Sequence, residues 1–218
     1  MDEIKRLMSA ARFAKYRQAT ASDDEAVQLH SWNVELSGAY LEATSWVEIG
    51  LRNVLSERME ILHQTLAVEG SSSWWDTSVE WFEPWLEPKT SEQIDELVER
   101  LKKPIVTDGV VAGLSFGFWV RLLSKRFEAS LWTPVLHQAF PKGSKRKDVE
   151  RTFAAMNRWR NRAAHHEPLF DRDQVQDAGK ILDALSLLST EWAEFSMANC
   201  RIEEVAKCCP VKLAPLRR

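Results

Sequence analysis

The chain has 218 residues, 44% of them hydrophobic and 28% charged, which is the ordinary make-up of a globular protein with one sizeable core. A net charge of -3 and a pI near 6.0 exclude a globally basic nucleic-acid binder but leave room for a local basic patch. Only eight glycines and eight prolines favour long helices over a loop-rich β fold.

The N-terminus, Met1 to Arg6, mixes charges and leads into no apolar stretch of signal-peptide length. Residues 3–18 read as one short amphipathic helix, and Ala19 to Asp24 as a polar break. Ser22 followed by Glu25 fits a capping box and starts a long helix, Glu25 to about Gln64. Apolar residues recur along it at three- and four-residue spacing, with a kink expected near Gly38 or Gly50. Glu69 to Thr90 is the main irregular insertion, and Trp74, Trp75, Trp81 and Trp85 crowd it. Packing is the expected role of these indoles, with a stacking platform for bases as the alternative.

Ser91 to Lys103 reads as a charged helix ended by Pro104. The apolar run Val110–Val120 is too short to cross a bilayer. Leu114–Ser124 and Glu128–Phe140 read as helices, the second interrupted by Pro134. After the turn Pro141–Ser144 come helices over Lys147–His166 and Asp171 to about Cys200. The three cysteines, Cys200, Cys208 and Cys209, form no metal-binding spacing, and their odd number argues against a disulfide framework. A cytoplasmic protein without membrane contact is expected. No segment alternates with β periodicity. The expected fold is an all-α bundle of long antiparallel helices, one domain over 1–205, with a loosely ordered tail over 206–218.

The chemistry concentrates in Arg160–Phe170. Arginine neutralises a phosphate and histidine moves protons near neutral pH, so Arg160 with His165 or His166 supplies the groups needed to cut RNA without a metal; the alternative is that they cap the helix and make surface contacts. Asn161 and His165 share a helix face, where the amide can fix the imidazole tautomer. Arg160 lies five residues from His165, about 140° around an ideal helix. Either its arm wraps round, the helix loosens, or a second subunit completes the site. The helix C-terminus and Glu167 favour the imidazolium form. Arg58 and His63 share the spacing, but Met59 stands where Asn161 follows Arg160.

A basic run (Lys142, Lys145, Arg146, Lys147, Arg151, Arg158, Arg160 and Arg162) approaches the motif against only Asp148 and Glu150. It is a candidate groove for an RNA backbone, with a solvated helix face as the alternative.

The segment Trp159–Phe170 resembles the Arg-polar-x-His motif region of the HEPN superfamily, in its Abi-like (abortive infection) branch. Leu29–Ser37, Trp46–Asn53, and Leu114–Val120 with Leu131-Trp132 resemble other blocks of that branch and stand in family order. The resemblance implies an α-helical HEPN domain that dimerises around the motif. It also implies a metal-independent endoribonuclease, often a toxin with an antitoxin partner or a phage-defence effector, acting on tRNA or mRNA. Carried over, Arg160 is the phosphate-binding arginine, Asn161 the adjacent polar residue, and His165 or His166 the motif histidine. Glu48, Arg52 and Asn53 match a further polar block. No metal or cofactor is implied. The alternative is a non-catalytic HEPN module that binds RNA or a protein partner. A metal site at His165-His166-Glu167 is the weakest reading, because His30, His63 and His137 lack carboxylate partners at helical spacing.

Overall fold

The computed structural model describes residues 1–77, 88–101 and 106–213; among them the regular structure is helical, with no strand. Trp81, Pro84, Trp85, Pro104 and residues 214–218 lie outside the described residues. No helix among the described residues is long and apolar enough to cross a membrane.

The first predicted helix is two: α1 (Asp2–Met8) and α2 (Ala10–Gln18), broken at Ser9 with φ 68. Only α2 buries residues, Phe13 and Tyr16; α1 buries none, so no packed face holds it in line with its neighbour. The capping box forms as read. Ser22 Oγ accepts from the Glu25 amide at 3.2 Å, and the Glu25 carboxylate accepts from the Ala21 amide at 2.9 Å.

From there α3 (Asp23–Leu66) runs unbroken for 44 residues, about 66 Å at the usual rise. Neither glycine interrupts it. Gly50 instead admits a close neighbour, since a Cβ there would stand 2.7 Å from Leu188 Cδ1 and 2.9 Å from Trp192 Nε1. That indole N–H donates to the Trp46 carbonyl at 3.1 Å.

Trp74 and Trp75 are buried, and their N–H groups are taken up by Ser56 Oγ and Thr107 Oγ1, each at 3.1 Å. These two indoles are packing residues and offer no face to a base. Next come α4 (Pro88–Leu101), α5 (Val106–Gly113) and α6 (Phe116–Leu122). Ser115 separates the last two and caps α6 by accepting from the Phe118 amide at 3.2 Å. The helix expected over 128–140 is instead a π turn, Glu128–Trp132, and a 3₁₀ turn, Leu136–Ala139. Pro134, which has no N–H to donate, lies between them.

α7 (Arg146–Ala164) agrees with expectation except that both histidines fall beyond its end. The helix expected over 171–200 is two, α8 (Gln174–Ser186) and α9 (Thr190–Met197). Each has its own cap: Asp173 accepts from the Gln176 amide at 2.9 Å and Ser189 from the Trp192 amide at 3.2 Å. The break turns Trp192 onto Gly50. α10 (Ile202–Lys207) closes the fold, with Trp32 Nε1 donating to the Val205 carbonyl at 2.8 Å. Beyond it Val211 and Leu213 still pack against the core.

α3 is the spine, in contact with α2, α7, α8, α9 and α10. α7 runs antiparallel to it. Glu48 and Tyr40 meet Arg160 and Trp159, and Asn33 meets the turn that follows.

Candidate active site

Along α7, Val149, Phe153, Met156, Arg160 and Ala163 recur at alternating four- and three-residue steps and so share one face. All but Arg160 are buried. Arg160 therefore occupies a slot of the core register while its side chain stays 41% exposed. Its Nε stands 3.7 Å from Glu48 Oε2, and its Nη1 donates to Asn161 Oδ1 at 3.4 Å. Both contacts are long, and an exposed pair of this kind is worth at most about 1 kcal/mol. Arg52 is one helical turn beyond Glu48 on α3; its Nε is buried and has no hydrogen-bond partner among the described residues. Among the described residues no hydrogen bond joins Glu48 to Arg52, and Asn53 beside them is exposed. The structure thus brings Glu48 to Arg160, with Arg52 a turn away on the same helix.

The histidines belong to a different environment. α7 keeps its helical hydrogen bond up to His165, whose amide donates to the Asn161 carbonyl at 3.0 Å. His166 then turns left-handed, with φ 51. Its amide donates to the Ala163 carbonyl at 3.0 Å, and that of Glu167 to the Arg162 carbonyl at 2.9 Å. This C-terminal closure normally uses glycine, and a side chain there costs roughly 1 kcal/mol. Pro168 therefore follows a helix that has already ended.

Four side chains fix the turn. The buried Asn33 donates to the Glu167 carbonyl at 3.2 Å and accepts from the Leu169 amide at 2.7 Å. Arg162 donates to the Pro168 carbonyl and pairs with Asp171 at 2.9 Å. Gln174 donates to the Leu169 carbonyl at 2.9 Å and Arg12 to the His165 carbonyl at 3.3 Å.

Both motif imidazoles are exposed on this clamped turn. The Asn161 amide bonds to Arg160, and among the described residues it bonds to neither imidazole. Because the helix does not loosen before His165, Arg160 and His165 stay about 140° apart around α7. Nearby, His30 lies edge-on to Tyr16, with ring centroids 5.0 Å apart. Burial first, then the charges of Arg12 and His166, pull the His30 pKa down. Burial pushes the Tyr16 hydroxyl up to about 12.

The basic run does not converge on Arg160. Arg146 is a strut: it donates to the Leu123 carbonyl at 2.7 Å and pairs with Glu150 at 2.6 Å and Glu128 at 3.2 Å. Arg162 is likewise committed to the turn. Arg151 pairs with Asp148 at 2.9 Å, while Lys142, Lys145, Lys147 and Arg158 are exposed. Lys147, Arg151 and Arg158 lie about 140–180° around α7 from Arg160, so a run compact in sequence is split between two faces. Arg58 is absorbed locally by Glu57 at 3.2 Å and His63 by Ser71 Oγ at 2.8 Å and by Glu60 at 3.7 Å, so His63, contrary to expectation, has a carboxylate at helical spacing.

Sequence reasoning missed Arg12, His30, Asn33 and Gln174. Only Asn33 left a signal, a polar residue in the apolar register Leu29, Asn33, Leu36, Tyr40 of α3. Among the described residues no three His, Cys, Asp or Glu side chains gather as a metal site. No family model, curated protein or solved structure matches the chain.

Proposed function

We propose that this protein is a metal-independent endoribonuclease of the HEPN kind, in the Abi-like branch, working as a homodimer with a composite site. The observation that carries the reading is Arg160, a half-exposed cation in the buried register of α7 with only long contacts. Burying an arginine slot in that register costs packing, and nothing in the fold is repaid by its loose pair with Glu48. A phosphate ligand would supply the missing partner.

In this scheme one motif histidine takes the proton from a ribose 2′-OH. The 2′ oxygen attacks the adjacent phosphorus and the bond to the 5′ oxygen breaks. The imidazolium so formed gives its proton to the leaving oxygen, giving a 2′,3′-cyclic phosphate and a 5′-OH. Arg160 stabilises the charge on the phosphorane, and Asn161, Glu48 and Arg52 position it. Arg160 and His165 diverge within one chain, which is why the reading uses two. A toxin or phage-defence role, with tRNA or mRNA as target and an antitoxin as partner, follows from the same resemblance.

The test is RNA cleavage by purified protein in excess EDTA, beside Arg160→Ala, His165→Ala and His166→Ala. Arg160→Ala is expected to lower the rate at least about 100-fold, and one histidine variant likewise, with cyclic phosphate ends from the wild type. Mixing Arg160→Ala with His165→Ala protein then tests the composite site. Exchanged dimers carrying one intact site restore about a quarter of wild-type activity, whereas a site built within one chain gains nothing. One observation favours a non-catalytic binding module instead: Asn161 holds Arg160, and neither imidazole shares its face. Folded, dimeric protein that binds RNA and leaves it uncut decides for that reading.

A further inference from the structure

The seam between α7 and α8 opens into two abutting clefts that flank the Arg160 face of α7. One, of about 460 Å³, is lined by Arg151, Arg158, Trp159, Arg172 and Lys180. The other, of about 520 Å³, adds Lys145 and Asp148; both clefts share Thr152 and Asp183. Five cationic side chains face two carboxylates there, an excess of three positive charges in a chain whose net charge is -3.

Not all of that charge is free. Arg172 pairs with the buried Asp177 at 2.7 Å, and Arg151 pairs with Asp148. Lys180 donates to the neutral Gln176 amide at 2.6 Å; among the described residues Lys145 and Arg158 make no ion pair. Lys145 to Arg158 spans about 20 Å along α7. Unspent cations spread over that length in an open trough match a polyanion better than a single phosphate, which a compact bowl of donors would hold. Trp159, the one aromatic residue of the lining, is buried and covered by the Arg172 guanidinium 4.6 Å from its ring centre, so no base can stack on it.

We infer that the α7–α8 trough binds the sugar–phosphate backbone of RNA, without regard to sequence, through Lys145, Arg158 and Lys180. The inference rests on the RNA reading above and separates holding from cutting. The backbone is held along the α7–α8 seam, and Arg160 beside it does the chemistry. It also reassigns the basic run, because Arg146 and Arg162 hold the fold and Lys180 on α8 joins the binding set.

The experiment measures the affinity of a short labelled single-stranded RNA across a salt series, in the Arg160→Ala background so that cleavage does not intervene. Arg158→Gln with Lys180→Gln is expected to weaken binding about tenfold and to flatten the salt dependence by about 1.4 in log–log slope, 0.7 for each lost phosphate contact. The charge-conserving pair Arg158→Lys and Lys180→Arg keeps both. Unchanged affinity and slope in the neutral pair overturn the inference, and so does a parent protein that binds no RNA. Displacement of RNA by polyglutamate at equal charge concentration also overturns it, in favour of an acidic protein partner. Wild-type cleavage is scored separately. Cutting without a trough effect leaves the ribonuclease standing and removes the trough; a trough effect without cutting does the reverse.

Discussion

Trp159 and Arg160 are adjacent on α7 and lead into two polar arrangements of opposite character. Around Trp159, Asp177 is 1% exposed and accepts from the Tyr40 hydroxyl at 2.7 Å and from Arg172 at 2.7 Å. Arg172 in turn lies over the Trp159 ring, which meets the Tyr40 ring edge-on. Burial, then the hydrogen bond to the Asp177 carboxylate, keeps the Tyr40 hydroxyl protonated far up the pH scale. Three helices are tied together there, and each group has a strong partner. Around Arg160, the carboxylate of Glu48 is 3.7 Å away, and the Arg52 Nε has no hydrogen-bond partner among the described residues. A satisfied buried network serves the fold, whereas loosely held cations beside it stay available to a ligand.

The comparison is tested most strongly by removing one anchor from each side. Asp177→Ala leaves the partly exposed Arg172 guanidinium and the buried Tyr40 hydroxyl unpaired and is expected to cost about 3 kcal/mol in urea unfolding. Arg160→Ala is expected to change stability by less than about 1 kcal/mol. If the order is reversed, Arg160 is a structural strut. Next in size is Asn33→Ala, which strips the Leu169 amide and the Glu167 carbonyl of their partner. A loss of about 2 kcal/mol is expected by the same measurement, with the histidine turn exchanging its amide hydrogens faster than α7 does.

These predictions also mark what was legible in the sequence. The all-α class followed from periodicity, and Ser22 announced the start of α3 through a local hydrogen bond that needs no tertiary partner. Ser189 carries the same kind of signal, but the apolar Leu185–Leu188 run reads through it as continuous helix. Arg160 was found as a motif residue, and its place in the stripe Val149–Phe153–Met156 could have been read as well. The clamp on the turn could not, because Asn33 and Arg12 reach it across more than a hundred residues of chain. Nor could the commitment of Arg146 and Arg162 to the fold, since their partners Glu128 and Asp171 stand outside the basic run.

A smaller effect links the turn to pH. Burial, Arg12 and His166 hold the His30 pKa below its ordinary value near 6.5. The unfolded chain then takes up a proton that the native chain refuses. Stability is complete above the unfolded value and is lost as pH falls from there through the folded one. Urea midpoints are expected to fall between neutral pH and mildly acidic pH, and His30→Gln to flatten that fall. An unchanged slope in the variant assigns it to other groups.

The smallest change separates backbone from side chain at the site itself. His166 sits at φ 51, where glycine is at ease and a side chain is strained. His166→Gly is expected to raise stability by about 0.5–1 kcal/mol, whereas His166→Ala keeps the strain and leaves stability near the wild-type value. A fold that prefers glycine here but carries histidine retains that imidazole at an energetic cost, which the proposed role in proton transfer would account for. If His166→Gly is both more stable and fully active on RNA, the strain has no catalytic purpose. His165, at φ -90 and unstrained, is then the histidine that moves the proton.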